Sequence, residues 1–331
     1  MAFHTFEDRP GAQVGVRLLT LSFMRHLPNE HLTVWGVSPQ SEFAQWISTK
    51  SRIKIGPALP SNVTGWNVKP SILAAALSRD GSPCYWIDSD VIFTGDIRPV
   101  LASVPISHFV ATEEPRSAEA PQGSDVRIPD FDLKRGRSLD RTVNSCFMRV
   151  APEHLPLLDK WRELLADGRY QAAQCQPYSE RPVGLCGDQD VLTALLGSEQ
   201  FKLIPVHLLR AGEDVAQCMH SLGYGVMDRL GALIWGMPAL IHAQGEKPWD
   251  PRPALSTQLS PYSAVAREYR RHLEADFSLD WLEPKAPVAK ILDRITLGHP
   301  VLRGFPLTLI RSIHEKMAKR KTASPSGTDC P

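Results

Sequence analysis

Two short segments hold the residue types of a site for a divalent cation and an anionic ligand. In the first, the apolar run Cys84-Tyr85-Trp86-Ile87 leads straight into Asp88-Ser89-Asp90. An Asp that closes a buried strand faces a desolvation cost unless it is paired or bound to a metal. Two carboxylates split by a small Ser can both turn to one side of a tight bend. That suits a hard divalent cation with oxygen ligands, and such a cation usually holds a substrate's phosphates as well. For a bare Asp-x-Asp the alternative is a solvated turn after a core strand. The second segment is His242-Ala243-Gln244-Gly245-Glu246-Lys247-Pro248-Trp249. Neutral histidine is a common metal ligand, Gly245 lets the backbone approach a ligand closely, and Lys247 is a compact charge suited to phosphate. A lone strand-end His is also a common core residue. Its place three residues before Gly and five before Lys favours a site of two carboxylates, one imidazole and a diphosphate.

The elements around these segments read as strands alternating with helices. Strands are expected over Ala2–Glu7, Leu32–Val37, the run ending at Asp88, Phe109–Thr112, Thr142–Val150, Phe201–Pro205 and Pro238–His242. Helices are expected over Val14–His26, over Ser41–Thr49 with Ser41 as N-cap, and over Trp66–Leu77 with Pro70 in the first turn. Pro152–Leu165 and Asp188–Leu196 read as two more. This order predicts an α/β domain with a mostly parallel sheet, in which ligands sit beyond the carboxyl ends of the strands. Asp88 and Asp90 lie at such an end, as do Glu7 and Asp8. Glu113–Arg141 is polar, rich in Pro and Gly, and without a period, as befits a functional or mobile loop.

Composition sets the outer bounds. The 331 residues are 43% hydrophobic and 22% charged, ordinary for a globular protein with a sizeable core. The net charge of +1 gives no overall field that would attract nucleic acid. No apolar run reaches the ~18 residues of a membrane span, and MAFHTFEDRPG lacks the basic start and apolar segment of a signal peptide. Six scattered cysteines (Cys84, Cys146, Cys175, Cys186, Cys218, Cys330) form no Cys-x-x-Cys pair. Free thiols in a reducing cytoplasm are the simplest expectation.

With four segments in order, the chain resembles glycosyltransferase family 8, the group of glycogenin and the bacterial lipopolysaccharide galactosyl- and glucosyltransferases. Asp88-Ser89-Asp90 matches the DxD signature, and His242 to Trp249 matches HxxGxxKPW at every fixed position. Asn144-Ser145-Cys146-Phe147-Met148 is similar to the family's Asn-Ser/Ala-Gly strand, and Gly187-Asp188-Gln189-Asp190-Val191-Leu192 to its GDQD segment. The resemblance covers roughly residues 3 to 249 and implies a GT-A nucleotide-diphospho-sugar transferase fold. It implies that Asp88, Asp90 and His242 bind Mn²⁺ or Mg²⁺, and that Gly245 and Lys247 contact the diphosphate of a nucleotide-sugar donor. Asp8 would lie near the base or ribose and Lys69 near the donor, with Asn144, Asp188 and Gln189 around the sugar. It implies retention of anomeric configuration, with Gln189 or Asp188 on the β-face and no strong nucleophile in view. Cys146 departs from the pattern, since relatives usually have Gly there, and the Glu113–Arg141 loop has no counterpart.

The expected activity is therefore a metal-dependent, retaining transfer of a hexose, from a UDP-sugar, to a glycan or lipid-linked saccharide. A nucleotidyltransferase is one rival, but Thr5–Gly15 lacks the glycine-rich loop it needs. A non-catalytic nucleotide-sugar-binding module is the other. The expected division is a catalytic domain over 1–250 and a helical extension over 251–331. In that extension Tyr262–Glu274 reads as a charged helix. Ala286–Arg320 carries apolar residues at Val288, Ile291, Leu292, Ile295, Leu297, Leu307, Leu309, Ile310 and Ile313. The segment closes on Lys316, Lys319, Arg320 and Lys321. An apolar stripe with a basic end can lie on an anionic membrane surface or pack on the domain.

Overall fold

A computed structural model describes residues 1–322 except 60–64, 116–120, 219–223, 274–276, 284–285 and 297–298, with 315–322 described as backbone alone. Among the described residues the strands are β1 (Ala2–Phe6), β2 (His31–Trp35), β3 (Ile53–Ile55), β4 (Cys84–Ile87), β5 (Val91–Phe93), β6 (Phe109–Glu113), β7 (Val143–Val150), β8 (Val206–Leu209), β9 (Val215–Gln217) and β10 (Leu240–His242). The helices are α1 (Gln13–His26), α2 (Glu42–Ser48), α3 (Lys69–Asp80), α4 (Arg98–Ala102), α5 (Leu155–Leu165), α6 (Gly168–Gln174), α7 (Asp188–Gly197) and α8 (Val226–Trp235), followed by α9 (Leu255–Gln258), α10 (Pro261–Ala266), α11 (Arg270–Leu273), α12 (Pro287–Ile295) and α13 (Phe305–Thr322).

Seven strands form a mixed sheet in the order β3-β2-β1-β4-β7-β6-β8. All its pairs are parallel except those of β7, which runs antiparallel to β4 and β6. The expected α/β class with a mostly parallel sheet is the observed one. Every residue of β4 is buried. Because strand side chains alternate, Cys84 and Trp86 join the cluster that holds Ile72, Trp161 and Leu192, while Tyr85 and Ile87 join the one that holds Phe3, Phe23 and Phe93. The sheet is thus packed on both faces, as parallel sheets require.

A second sheet, β5-β10-β9, stands beside the first. The chain leaves the large sheet at Ile87, turns through Asp88-Ser89-Asp90 and enters the small sheet at Val91. This junction fixes the site.

Local signals account for several boundaries. Ser41 caps α2 by accepting a hydrogen bond from Ala44 N at 3.1 Å. Pro70 occupies the first turn of α3, and Gly81 ends that helix at φ +61°. Other expectations need correction. Phe201–Pro205 is not a strand: Glu199–Phe201 is a 3-10 turn, and pairing with β6 begins one residue later, at Val206 opposite Phe109. Tyr262–Glu274 is not one charged helix. Pro261–Ala266 is buried throughout, Arg267–Tyr269 tightens to 3-10, and Arg270–Leu273 resumes; Glu274 lies outside the described residues. Strands β3, β5 and β9, of three residues each, and helix α8 were not foreseen.

Tyr262, Val265, Ala266 and Tyr269 share a cluster with Val14, Leu18, Ile92 and Ile241, so this stretch packs on α1 and the small sheet. Trp249 completes the contact, 6.0 Å from Tyr262 and 5.8 Å from Trp281 between ring centroids. Farther on, Val288, Ile291 and Ile295 of α12 and Leu309, Ile310 and Ile313 of α13 are exposed. Leu297, Cys330 and the side chains of Lys316, Lys319, Arg320 and Lys321 lie outside the described residues. No described helix is long and apolar enough to cross a membrane.

Candidate active site

Register places the ligands. In the antiparallel pair of β5 and β10, His242 stands opposite Val91. Asp90, one residue earlier, therefore lies beside the end of β10, where Ala243 N donates to Asp90 O at 3.1 Å. On the other side of β10, His242 stands in register with Gln217 of β9. Asp88 sits two residues before Asp90, its N donating to Cys146 O of β7 at 2.8 Å. Ligand atoms of Asp88, Asp90 and His242 all fall within 4.8 Å of one another.

The donor set fits a divalent cation. Asp90 Oδ1 is buried without a hydrogen-bond partner and lies 3.3 Å from His242 Nε2. The other ring nitrogen, Nδ1, is 2.6 Å from Gln217 Oε1. An amide oxygen can only accept, so Nδ1 carries its proton there and Nε2 is turned toward the carboxylates. Such an outer partner is what fixes a ligating imidazole.

Two lysines neutralise the carboxylates. Lys247 Nζ donates to Asp90 and to Ala243 O, the latter at 2.6 Å. Lys69 is buried at the start of α3. Its Nζ is 3.1 Å from Asp88, 3.2 Å from Asp188 and 2.7 Å from Ser145 Oγ. Burial alone would lower the Lys69 pKa, but Asp188 and Asp88 outweigh it and raise it. Burial would likewise raise Asp90; Lys247 and His242 prevail and hold its carboxyl well below the usual carboxylate range. Asp188 accepts from Ser145 Oγ at 2.9 Å as well, and burial raises its pKa against the pull of Lys69.

A fourth carboxylate, Glu114, was missed in the sequence, where it opens the polar loop after β6. It is half-buried and touches no cation among the described residues. Its Oε2 accepts from Asn144 Nδ2 at 2.6 Å and Gln189 Nε2 at 3.2 Å, and its Oε1 accepts from Gln244 Nε2. Burial raises its pKa, opposed by the amide hydrogen bonds. Four carboxylates thus face two ammonium groups, an excess of negative charge that a divalent cation would balance.

The sequence-derived residues distribute as follows. Asp88, Asp90, His242, Lys247, Lys69 and Asp188 form one connected cluster. Asn144 and Gln189 meet instead at Glu114. Gly245 is exposed at φ +74°, a conformation that favours glycine. Asp8 is exposed. Its buried neighbour Glu7 makes the contacts, accepting from Ser89 Oγ at 2.8 Å and from Arg9 Nε at 2.8 Å. Cys146 is buried, its Sγ 3.3 Å from Thr112 Oγ1 and 3.6 Å from Gln217 Nε2. Asp190 faces away from this cluster and pairs with Arg127 of the long loop at 2.8 Å. That pair ties the loop to the start of α7, and within the loop Arg127 also donates to Gly123 O at 2.8 Å.

No protein-family model matches the chain, and no curated protein does. Solved structures resemble it in chain path. The glycosyltransferase GlyE of Streptococcus pneumoniae TIGR4 aligns over 82% of this chain and 63% of its own, at 14% identity and a TM-score of 0.47. A glycosyltransferase involved in glycosylation of the major capsid of PBCV-1 aligns over 83% and 98%, at 11% identity and 0.41. The WbbM bifunctional glycosyltransferase aligns over 75% and 46%, at 14% identity and 0.48. The chain thus spans less than two thirds of GlyE and less than half of WbbM. At such identities the chemistry has to be argued from the residues.

Proposed function

We propose that the protein is a metal-dependent, retaining glycosyltransferase that moves a hexose from a UDP-sugar to a glycan or lipid-linked saccharide. The observation that carries this reading is the convergence of Asp88, Asp90 and His242 at the junction of two sheets, with an unpartnered Asp90 oxygen and Lys247 beside it. Asp88, Asp90 and His242 would hold Mn²⁺ or Mg²⁺. Bound there, the cation supplies positive charge to the leaving diphosphate without a proton donor.

The chain's own groups do the rest. Lys247 lies on the carboxylate that the cation would use; a diphosphate offers its ammonium another anion, and Gly245 lets the backbone come close. Both would neutralise charge that grows as the glycosidic bond breaks. Lys69 holds and orients Asp88 and Asp188. One Asp188 oxygen, Oδ2, takes the contacts of both Lys69 and Ser145, and a carboxylate paired with an ammonium is a weakened nucleophile. A front-face displacement fits this arrangement better than a covalent intermediate. The acceptor hydroxyl would pass its proton to the departing phosphate oxygen while Gln189 lines the opposite face. Asp8, exposed, would meet the base or ribose, and the buried Glu7 beside it is held by Ser89 and Arg9.

The exposed apolar residues of α12 and α13, ahead of the basic run 316–321, support contact with an anionic membrane where lipid-linked acceptors reside. The test of the activity is transfer or hydrolysis of UDP-sugars with Mn²⁺, chelator and Mn²⁺ restored, with the product's anomeric configuration read by NMR. Metal-reversible turnover with retention supports the reading. Metal-independent turnover or inversion overturns it.

A further inference from the structure

Glu114 and Gln244 leave hydrogen-bonding capacity that the protein itself does not satisfy. A carboxylate oxygen accepts about two hydrogen bonds. Glu114 Oε2 has two, from Asn144 and Gln189, whereas Oε1 has one, from Gln244 Nε2. The Gln244 amide must point its NH₂ at the carboxylate, since the reverse orientation would set oxygen against oxygen. Its own Oε1 is thereby turned away from the carboxylate, and that atom is buried with no partner among the described residues. Two acceptors, one anionic and one neutral, are thus joined by a single hydrogen bond, and the neutral one is buried without a donor. Gln244 lies two residues beyond His242 and three before Lys247, and Glu114 bonds Asn144 and Gln189, so both acceptors lie among the residues assigned above to the donor.

We propose that Glu114 and Gln244 read hydroxyl groups of the transferred sugar, and so select a neutral hexose with two free neighbouring hydroxyls over deoxy and acidic sugars. The inference rests on the donor reading above. Hydroxyls are the donors that such a pair of acceptors lacks. A sugar without one of them would bury an unpaired carboxylate or amide oxygen, and a site built to bond a hydroxyl rejects the analogue lacking it. A uronic acid would set its carboxylate against Glu114, a repulsion that excludes it. Glu114 does not change partners along the reaction; it positions and discriminates.

The experiment measures kcat/KM with UDP-hexoses, their monodeoxy analogues and UDP-glucuronate, for the wild type, Glu114→Gln and Gln244→Met. Thermal midpoint and Mn²⁺-dependent UDP affinity are measured on the same preparations. Wild type is expected to favour one UDP-hexose over its best-discriminated deoxy analogue by about 10²–10⁴-fold and to reject UDP-glucuronate. In Glu114→Gln the parent hexose loses most of that margin, the deoxy analogue changes little, and the exclusion of UDP-glucuronate narrows. Gln244→Met does the same for one hydroxyl while keeping the glucuronate exclusion. UDP affinity stays unchanged in both. Equal losses for every donor would mean a general structural role and would overturn the proposal. Wild type that binds UDP with Mn²⁺ but accepts deoxy donors as readily as the parent would overturn it too. Wild type that binds no UDP at all would remove the donor reading itself, and this inference with it.

Discussion

The two halves of the site handle buried carboxylates in opposite ways. Around Asp88, Asp90 and Asp188 the counter-charges are lysines: Lys69 for two of them and Lys247 for the third, which also faces His242 Nε2. Around Glu114 the partners are three carboxamides, none of them charged. Ion pairs in a low-dielectric site can exchange one cation for another as ligands arrive. Amides can only hold and orient. On the proposed reading the labour is divided: one half would manage charge, and the other would read hydroxyls. The two halves meet at Gln217 and Cys146, between His242 and the Thr112–Asn144 contact.

The largest effect should come from the cationic half. Asp90→Ala would leave Lys247 and His242 without their carboxylate and remove a ligand. Transfer should fall by about 10³-fold or more, with metal-dependent UDP binding lost and the thermal midpoint near wild type. Activity close to wild type would sink the cation assignment.

The frame beneath the amide half is next. Arg127→Met strands a buried Asp190 and should destabilise the fold by about 3–5 kcal/mol in urea unfolding. Burial raises the Asp190 pKa to about 6 despite Arg127. A carboxyl whose folded pKa lies above its unfolded value favours the fold fully below about pH 4, and that contribution is lost as the pH rises to about 6. The midpoint of wild type relative to Asp190→Asn should therefore fall across that window, and a flat difference would show that Asp190 does not titrate there.

At the joint between the halves, Gln217→Ala removes the partner that fixes His242 Nδ1. Metal affinity should drop about 10–100-fold while the fold persists; an unchanged Mn²⁺ titration would disconnect Gln217 from the site.

The smallest effect lies outside both halves. Ile291→Ser, Ile295→Ser and Ile310→Ser together should cut sedimentation with anionic vesicles several-fold and leave UDP-sugar hydrolysis alone. Equal sedimentation would remove the membrane reading. Substitution is preferable to truncation here, because Arg229 Nη1 donates to Val301 O and Arg303 O, both at 2.7 Å, and loses both when the segment is cut away.

What the sequence made legible follows from how far apart the interacting residues lie. Asp88, Asp90 and His242 sit at ends of apolar runs, a local signal that needs no partner to be noticed, and Lys247 follows His242 by five residues. Glu114 carries the same signal, two acids closing the run Phe109-Val110-Ala111-Thr112, but it was absorbed into the polar loop that follows. Gln217 and Ser145 had no signal of their own, since their roles come from register with His242 and from a lysine 76 residues away. Strands of three residues, such as β5 and β9, are too short to show a period. Tyr262–Glu274 misled because its charges are concentrated after Ala266, while the part that matters to packing lies before it, under Trp249.

The most direct test of the central claim is calorimetric titration of UDP into wild type and Asp90→Ala, with and without Mn²⁺. Binding to wild type that requires Mn²⁺, and its loss in Asp90→Ala, is the expected result. Binding of equal strength without metal, or in the variant, would contradict a cation held by Asp88, Asp90 and His242.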